Sequence, residues 1–101
     1  GGVPLWIGGY SFGAWIAWQA LGRTAGVERA LLVAPPLGAL DFSRQAGSAA
    51  VDVFAGERDA FIDHDALAAW EGVTVHRIAG ADHFFGTRMR ALAAAIRDTL
   101  P

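Results

Sequence analysis

The sequence holds no cysteine and no lysine; all eight of its basic residues are arginine. Without cysteine there is no disulfide and no thiol chemistry, although that absence names no compartment. Charge is scarce at 18% of residues, and eight arginines against ten carboxylates leave a net −2. Such a balance argues against nucleic acid or an anionic membrane as partner. No apolar run is long or uniform enough to span a bilayer, and no signal peptide is visible, so the cytoplasm is the expected location. The chain opens Gly1-Gly2 with no methionine, so a true N-terminus, and any signal it carries, is expected to lie outside this sequence. Internal repeats, low-complexity tracts and linkers are absent as well. What is abundant is apolar: 53% hydrophobic residues suit a buried sheet in one domain over residues 1–101, short for a three-layer α/β enzyme.

Apolar runs and helix-compatible stretches alternate along the chain. Leu5 to Gly8 reads as a strand, and Ala14 to Leu21, apolar at 14, 15, 17, 18 and 21, as a helix ending at Gly22. Arg29 to Ala34 is a second strand closed by Pro35-Pro36, and Val51 to Ala55 a third, followed by the turn Gly56-Glu57-Arg58-Asp59. A short helix from Asp63 or Asp65 to Trp70 comes next. Val73 to Ile78 alternates enough for a half-solvated edge strand. Thr87 to Leu100 closes the chain as a helix with Met89, Leu92, Ala93, Ile96 and Leu100 on one face and Arg88, Arg90 and Arg97 exposed. Alternating strands and helices joined by short turns predict an α/β fold, a parallel sheet of about four strands flanked by helices.

One motif carries chemistry. Gly9-Tyr10-Ser11-Phe12-Gly13 lies between the first strand and the first helix, the setting of a nucleophile elbow, where a sharp turn lifts a serine hydroxyl above a parallel sheet. Glycine two residues either side is expected because a side chain there would collide with the turn. The plainer reading is a glycine-rich turn whose serine caps the helix. A serine hydroxyl is a weak nucleophile until a base takes its proton and a third group orients that base. Asp59, past the third strand, and His83, in the loop past the fourth, fall where a parallel sheet converges its strand ends.

Together these residues resemble a known family. Gly9-Tyr10-Ser11-Phe12-Gly13-Ala14, Val33-Ala34-Pro35-Pro36 with the following Asp41-Phe42-Ser43, Gly56-x-x-Asp59 and Ala81-Asp82-His83-Phe84-Phe85-Gly86 are similar to the C-terminal half of an α/β-hydrolase. The likeness is closest to small, lidless bacterial proteins described as predicted α/β-superfamily hydrolases. The resemblance implies Ser11 as nucleophile, Asp59 as acid, His83 as base and the Phe12 amide as one oxyanion donor, with no cofactor. The Gly-Tyr-Ser-Phe-Gly phrase also resembles thioesterase domains. The expected substrate is a small-molecule ester or thioester. Too few residues separate Pro36 from Val51 for a folded lid, so the site is expected to be open.

Other residues compete for these roles. Asp41, after the second strand, is the rival acid. Asp63 and Asp65 read as helix-start residues, Asp82 as a turn residue, and His64 and His76 as surface side chains. A metal set of Asp59, Asp63, His64, Asp65 and His83 lacks a recognised ligand spacing. Trp15, Trp18 and Trp70 read as core, while Tyr10 and Phe84 are expected to shape the site. The second oxyanion donor normally comes from a loop after an earlier strand, and no residues precede Gly1 to supply it. The far edge of the first strand likewise lacks a neighbour. A missing N-terminal half, or a second chain, is therefore expected along that edge. The competing reading of the whole is a non-catalytic α/β-hydrolase-like fragment or interaction module.

Overall fold

The computed structural model describes residues 5–43 and 48–100; the Gly1-to-Pro4 opening, including the Val3-Pro4 start of the first apolar stretch, lies outside the described residues. Among the described residues, four strands form one parallel sheet in the spatial order of the sequence: β1 (Leu5–Tyr10), β2 (Val27–Val33), β3 (Ala50–Gly56) and β4 (Thr74–Ile78). Among the described residues, α1 (Phe12–Leu21) joins β1 to β2, α2 (His64–Ala69) joins β3 to β4, and α3 (Met89–Thr99) follows β4, entered through a 3-10 turn at Gly86–Arg88. The expected α/β architecture is the one observed. No helix among the described residues is long and apolar enough to cross a membrane.

Sequential parallel strands joined by right-handed crossovers place their connecting helices on one face. In keeping with that rule, α1 and α2 share a core with Ala30, Leu32, Val51, Val53 and Ala55. After β4 the chain crosses to the other face, where Leu92 of α3 meets Phe54, Ile78 and the loop residues Ala81 and Phe85. The period-2 alternation of β3 divides it between the two layers: Val51, Val53 and Ala55 face α1, while Phe54 faces α3. Both faces are covered, so β3 is buried from Val51 to Gly56.

Tryptophans tie the first layer together. Trp18 sits edge-on to Trp70 at 5.0 Å, and Phe42 to Trp70 at 5.5 Å. The Trp15 and Trp18 indoles donate to the carbonyls of Asp41 and Ser43 at 2.9 and 2.7 Å, pinning the loop after β2 against α1.

Two expectations need correction. The apolar face of α3 is narrower than its periodicity implies: Leu92, Ala95 and Ile96 pack inward, whereas Met89, Ala93 and Leu100 are exposed. The buried stripe keeps the i, i+3, i+4 spacing that meets β3 and β4, and residues flanking it have no sheet beneath them. His76 is also no free surface group. It stacks on Phe54 at 4.7 Å and its Nε2 lies 2.9 Å from Asp52 Oδ1. β4 is an edge strand as expected, and among the described residues β1 pairs only with β2, leaving Leu5 and Trp6 exposed.

Candidate active site

β1 runs up to Tyr10, two residues further than its apolar pattern implies, and delivers Ser11 directly to the turn. The Ser11 N–H continues the ladder onto the Val33 carbonyl at 2.8 Å, and then the chain reverses into α1. That reversal gives Ser11 φ 56° and ψ −119°, a left-handed backbone that costs a non-glycine residue of order 1–3 kcal/mol. Gly9 makes the turn possible, because a Cβ there would stand 2.1 Å from the Gly13 carbonyl oxygen. The other glycine departs from expectation: a Cβ on Gly13 meets nothing within 4 Å among the described residues. The crowding is one-sided because the Gly13 backbone, rather than any side chain, is what closes over Gly9.

Ser11 precedes α1 at the N-cap position, yet its side chain caps nothing. Its Oγ lies instead 2.7 Å from His83 Nε2, and His83 Nδ1 lies 2.7 Å from Asp59 Oδ2. An ionised carboxylate only accepts, so Nδ1 carries the imidazole proton and Nε2 is left to accept from the Ser11 hydroxyl. Asp59 is 1% exposed and His83 7%, which keeps water from competing for the bond between them.

The turn carrying Asp59 and the loop carrying His83 are built as one piece. Arg58 donates to the Ala81 carbonyl at 2.8 Å, Glu57 to Ile78 at 3.0 Å and Asp59 to Gly56 at 3.1 Å. A Cβ on Gly56 would lie 2.5 Å from the Ala81 oxygen and 2.6 Å from that of Asp82, so glycine permits this approach. Asp59 Oδ1 accepts from the Phe61 N–H at 2.8 Å, and its backbone carbonyl accepts from His64 Nε2 at 2.8 Å. Asp82 holds the turn before His83 from within, accepting from Phe84 N–H at 2.9 Å. Phe85, buried and at φ 60°, anchors the loop below while Phe84 points out.

Tyr10 bridges β1 to the loop carrying His83, donating its hydroxyl to the His83 carbonyl at 2.7 Å. Partial desolvation raises the phenol's pKa, and the negative charges of Asp59 and Asp82 raise it further. Phe12 begins α1, so its N–H has no acceptor within the helix and stands at the positive end of the helix dipole.

The rival acid sits elsewhere. Asp41 accepts from the hydroxyl and the amide of Ser43, which hold its carboxyl below the usual value, the hydroxyl contributing most. Asp63 caps α2 through Asp65 and Ala66 N–H at 3.1 and 3.0 Å, and Asp65 sits in its first turn. His64 is engaged on both ring nitrogens, with Arg77 Nη1 3.3 Å from its Nδ1, correcting the surface reading. Phe61 escaped the sequence reading. It stands 4.7 Å from the His83 ring, and its only linear signal is a place two residues after an acid that folds back on it.

Comparison with known proteins bears on the fold. No family model matches the sequence, and no curated protein matches it. Solved structures do. A candidate α/β hydrolase of unknown function from Agrobacterium tumefaciens is 30% identical with a TM-score of 0.81, over 94% of this chain and 48% of that one. An α/β serine hydrolase without a lid from Xanthomonas campestris is 31% identical with a TM-score of 0.78, over 97% and 49%. A Coxiella burnetii α/β serine hydrolase homologue, 23% identical, shares the fold at a TM-score of 0.80 over 96% and 50%. The chain spans about half the length of each. Over that span it has the fold of an α/β-hydrolase and resembles the lidless α/β serine hydrolase from Xanthomonas campestris.

Proposed function

We propose that the protein is a serine hydrolase that cleaves small ester or thioester substrates through an acyl-enzyme. One observation carries this reading: the continuous path from Ser11 Oγ through His83 to the buried Asp59 carboxylate, 2.7 Å at each step. Ser11 Oγ attacks the acyl carbonyl while His83 Nε2 takes its proton. The imidazolium then gives that proton to the departing alcohol or thiol, and water repeats the cycle on the acyl-enzyme. Asp59 keeps the imidazole in the tautomer that accepts at Nε2 and stabilises its cation. The Phe12 N–H supplies one donor to the oxyanion, and each such donor is worth about a hundredfold to a thousandfold in rate. The backbone strain at Ser11 is consistent with this role, since it aims the hydroxyl away from the helix it would otherwise cap.

A fluorophosphonate probe tests the assignment. Wild-type protein is expected to label at one site, and Ser11→Ala to lose the label while unfolding at the same urea concentration. Equal labelling of the two would show that Ser11 is not the nucleophile. An unlabelled wild type would favour a non-catalytic hydrolase-like module.

A further inference from the structure

Besides Tyr10, whose hydroxyl is tied to the His83 carbonyl, three large aromatic side chains stand in solvent around the Ser11–His83 pair. Phe61 is 58% exposed, Phe84 65% and Phe12 58%. They do not surround the serine evenly. Phe61 and Phe84 both border the imidazole, with ring centroids 4.7 and 5.2 Å from that of His83, and they meet each other edge-to-face at 6.4 Å. Phe12 belongs to the other side, beside the helix N-terminus, with its ring 5.6 Å from Trp15.

Neither exposed ring is a by-product of packing. Phe85, the neighbour of Phe84, is fully buried and anchors the base loop, and the Asp59 contact to residue 61 uses the backbone N–H. A contiguous apolar patch left in water beside a reactive group marks a contact surface.

The chemistry decides which part of the substrate meets this patch. In acylation the Oγ–C bond forms, the bond from the carbonyl carbon to the leaving oxygen or sulfur breaks, and the Ser11 proton passes through His83 Nε2 to that leaving atom. The leaving group must therefore lie against the imidazole, whereas the acyl oxygen lies toward the Phe12 N–H. Resting on the serine hydrolase reading, we infer that Phe61 and Phe84 form an apolar clamp for the leaving group, selecting substrates whose alcohol or thiol carries an aromatic or bulky apolar substituent.

The test varies one half of the ester at a time. Benzyl acetate and 2-methoxyethyl acetate share an acyl group and release alcohols of similar basicity, and kcat/KM reports the step in which the alcohol departs. Wild type is expected to prefer the benzyl ester by about tenfold or more, the scale of one good aromatic contact. Phe61→Ala and Phe84→Ala should each erase most of that ratio, and Phe61→Leu should keep part of it. With the alcohol fixed as methanol, the preference between phenylacetate and methoxyacetate should be the same in all variants. Fluorophosphonate labelling of Ser11, whose leaving group is fluoride, should persist throughout. Intact labelling with equal turnover of both acetates, or turnover of neither, overturns the clamp alone. A loss of preference confined to the acyl series overturns its placement. Absence of labelling in wild type removes the nucleophile assignment and the clamp with it.

Discussion

The molecule contains two buried aspartates bonded to histidine, and they have been put to different ends. Asp59 lies 2.7 Å from His83 and Asp52 2.9 Å from His76. In the first pair the carboxylate meets Nδ1, leaving Nε2 to reach Ser11, and its second oxygen accepts a neutral N–H from Phe61. In the second pair the carboxylate meets Nε2 itself. Its other oxygen takes Arg29 Nη1 at 3.0 Å, and that guanidinium is shared with Trp6 and the Thr99 carbonyl. Asp52 is thus matched by a permanent cation and joins β2, β3, β4 and α3 through its partners. Among the described residues Asp59 has only the imidazole to balance it, so in the proposed mechanism its charge favours the cation that forms transiently on His83. The same two residue types serve as a structural tie within the strands and, in the proposed function, as a catalytic constellation past their C-terminal ends. What separates them is the third partner and which ring nitrogen it leaves free.

Replacing each aspartate by asparagine is the most direct way to break the comparison. Asp59→Asn should lower kcat/KM by about 10⁴, because the amide lets the imidazole adopt the wrong tautomer. Asp52→Asn should leave kcat/KM within about twofold, as expected for a separate site, yet lower stability by about 2 kcal/mol through the uncompensated Arg29. Ester kinetics with urea unfolding of both variants checks this. A rate loss in Asp52→Asn comparable to that in Asp59→Asn would remove the distinction.

Tyr10 sharpens it at the Asp59–His83 end, where His83 is held by a backbone tether that His76, inside a strand, does not need. Acting as a positioning residue, its loss in Tyr10→Phe should cut kcat by about tenfold with KM unchanged. An unchanged kcat, or an equal rise in KM, would mean that the tether does not place the base.

The smallest expected effect is a pH dependence from the same phenol. Its folded pKa is raised above the ordinary value of 10.0, so the native state holds the proton longer than the unfolded chain does. The contribution to stability is complete below about pH 10 and is lost as pH rises from there through the raised folded value. Urea midpoints should therefore fall more steeply above pH 10 in wild type than in Tyr10→Phe, and parallel curves would contradict the shift.

Much of this was readable in order along the chain. The apolar run from Ala30 to Ala34 marked β2, and Val51 to Ala55, apolar but for Asp52, marked β3, because strands covered on both faces need little polar alternation. The elbow was visible because Gly9 and Ser11 answer to a purely local turn. Asp59 and His83 were found because a parallel sheet brings the ends of its strands together, whatever intervenes. The misreadings arose where the folded geometry, rather than the residue pattern, decides. Gly13 and Gly9 look equivalent in the motif, and only the folded turn shows which of them is crowded. His64 and His76 read as surface groups because Arg77 and Asp52 come from other elements.

The sequence by itself determined the alternation of strands and helices, the turn at Ser11 and the order of the three polar residues, since each rests on short-range sterics or periodicity. Tertiary structure decided the rest. It chose Asp59 over Asp41 as the partner of His83, turned Phe85 inward and Phe84 outward, and set Phe61 against the imidazole. Those outcomes depend on distances between strands, and a distance between strands exists only once the sheet has formed.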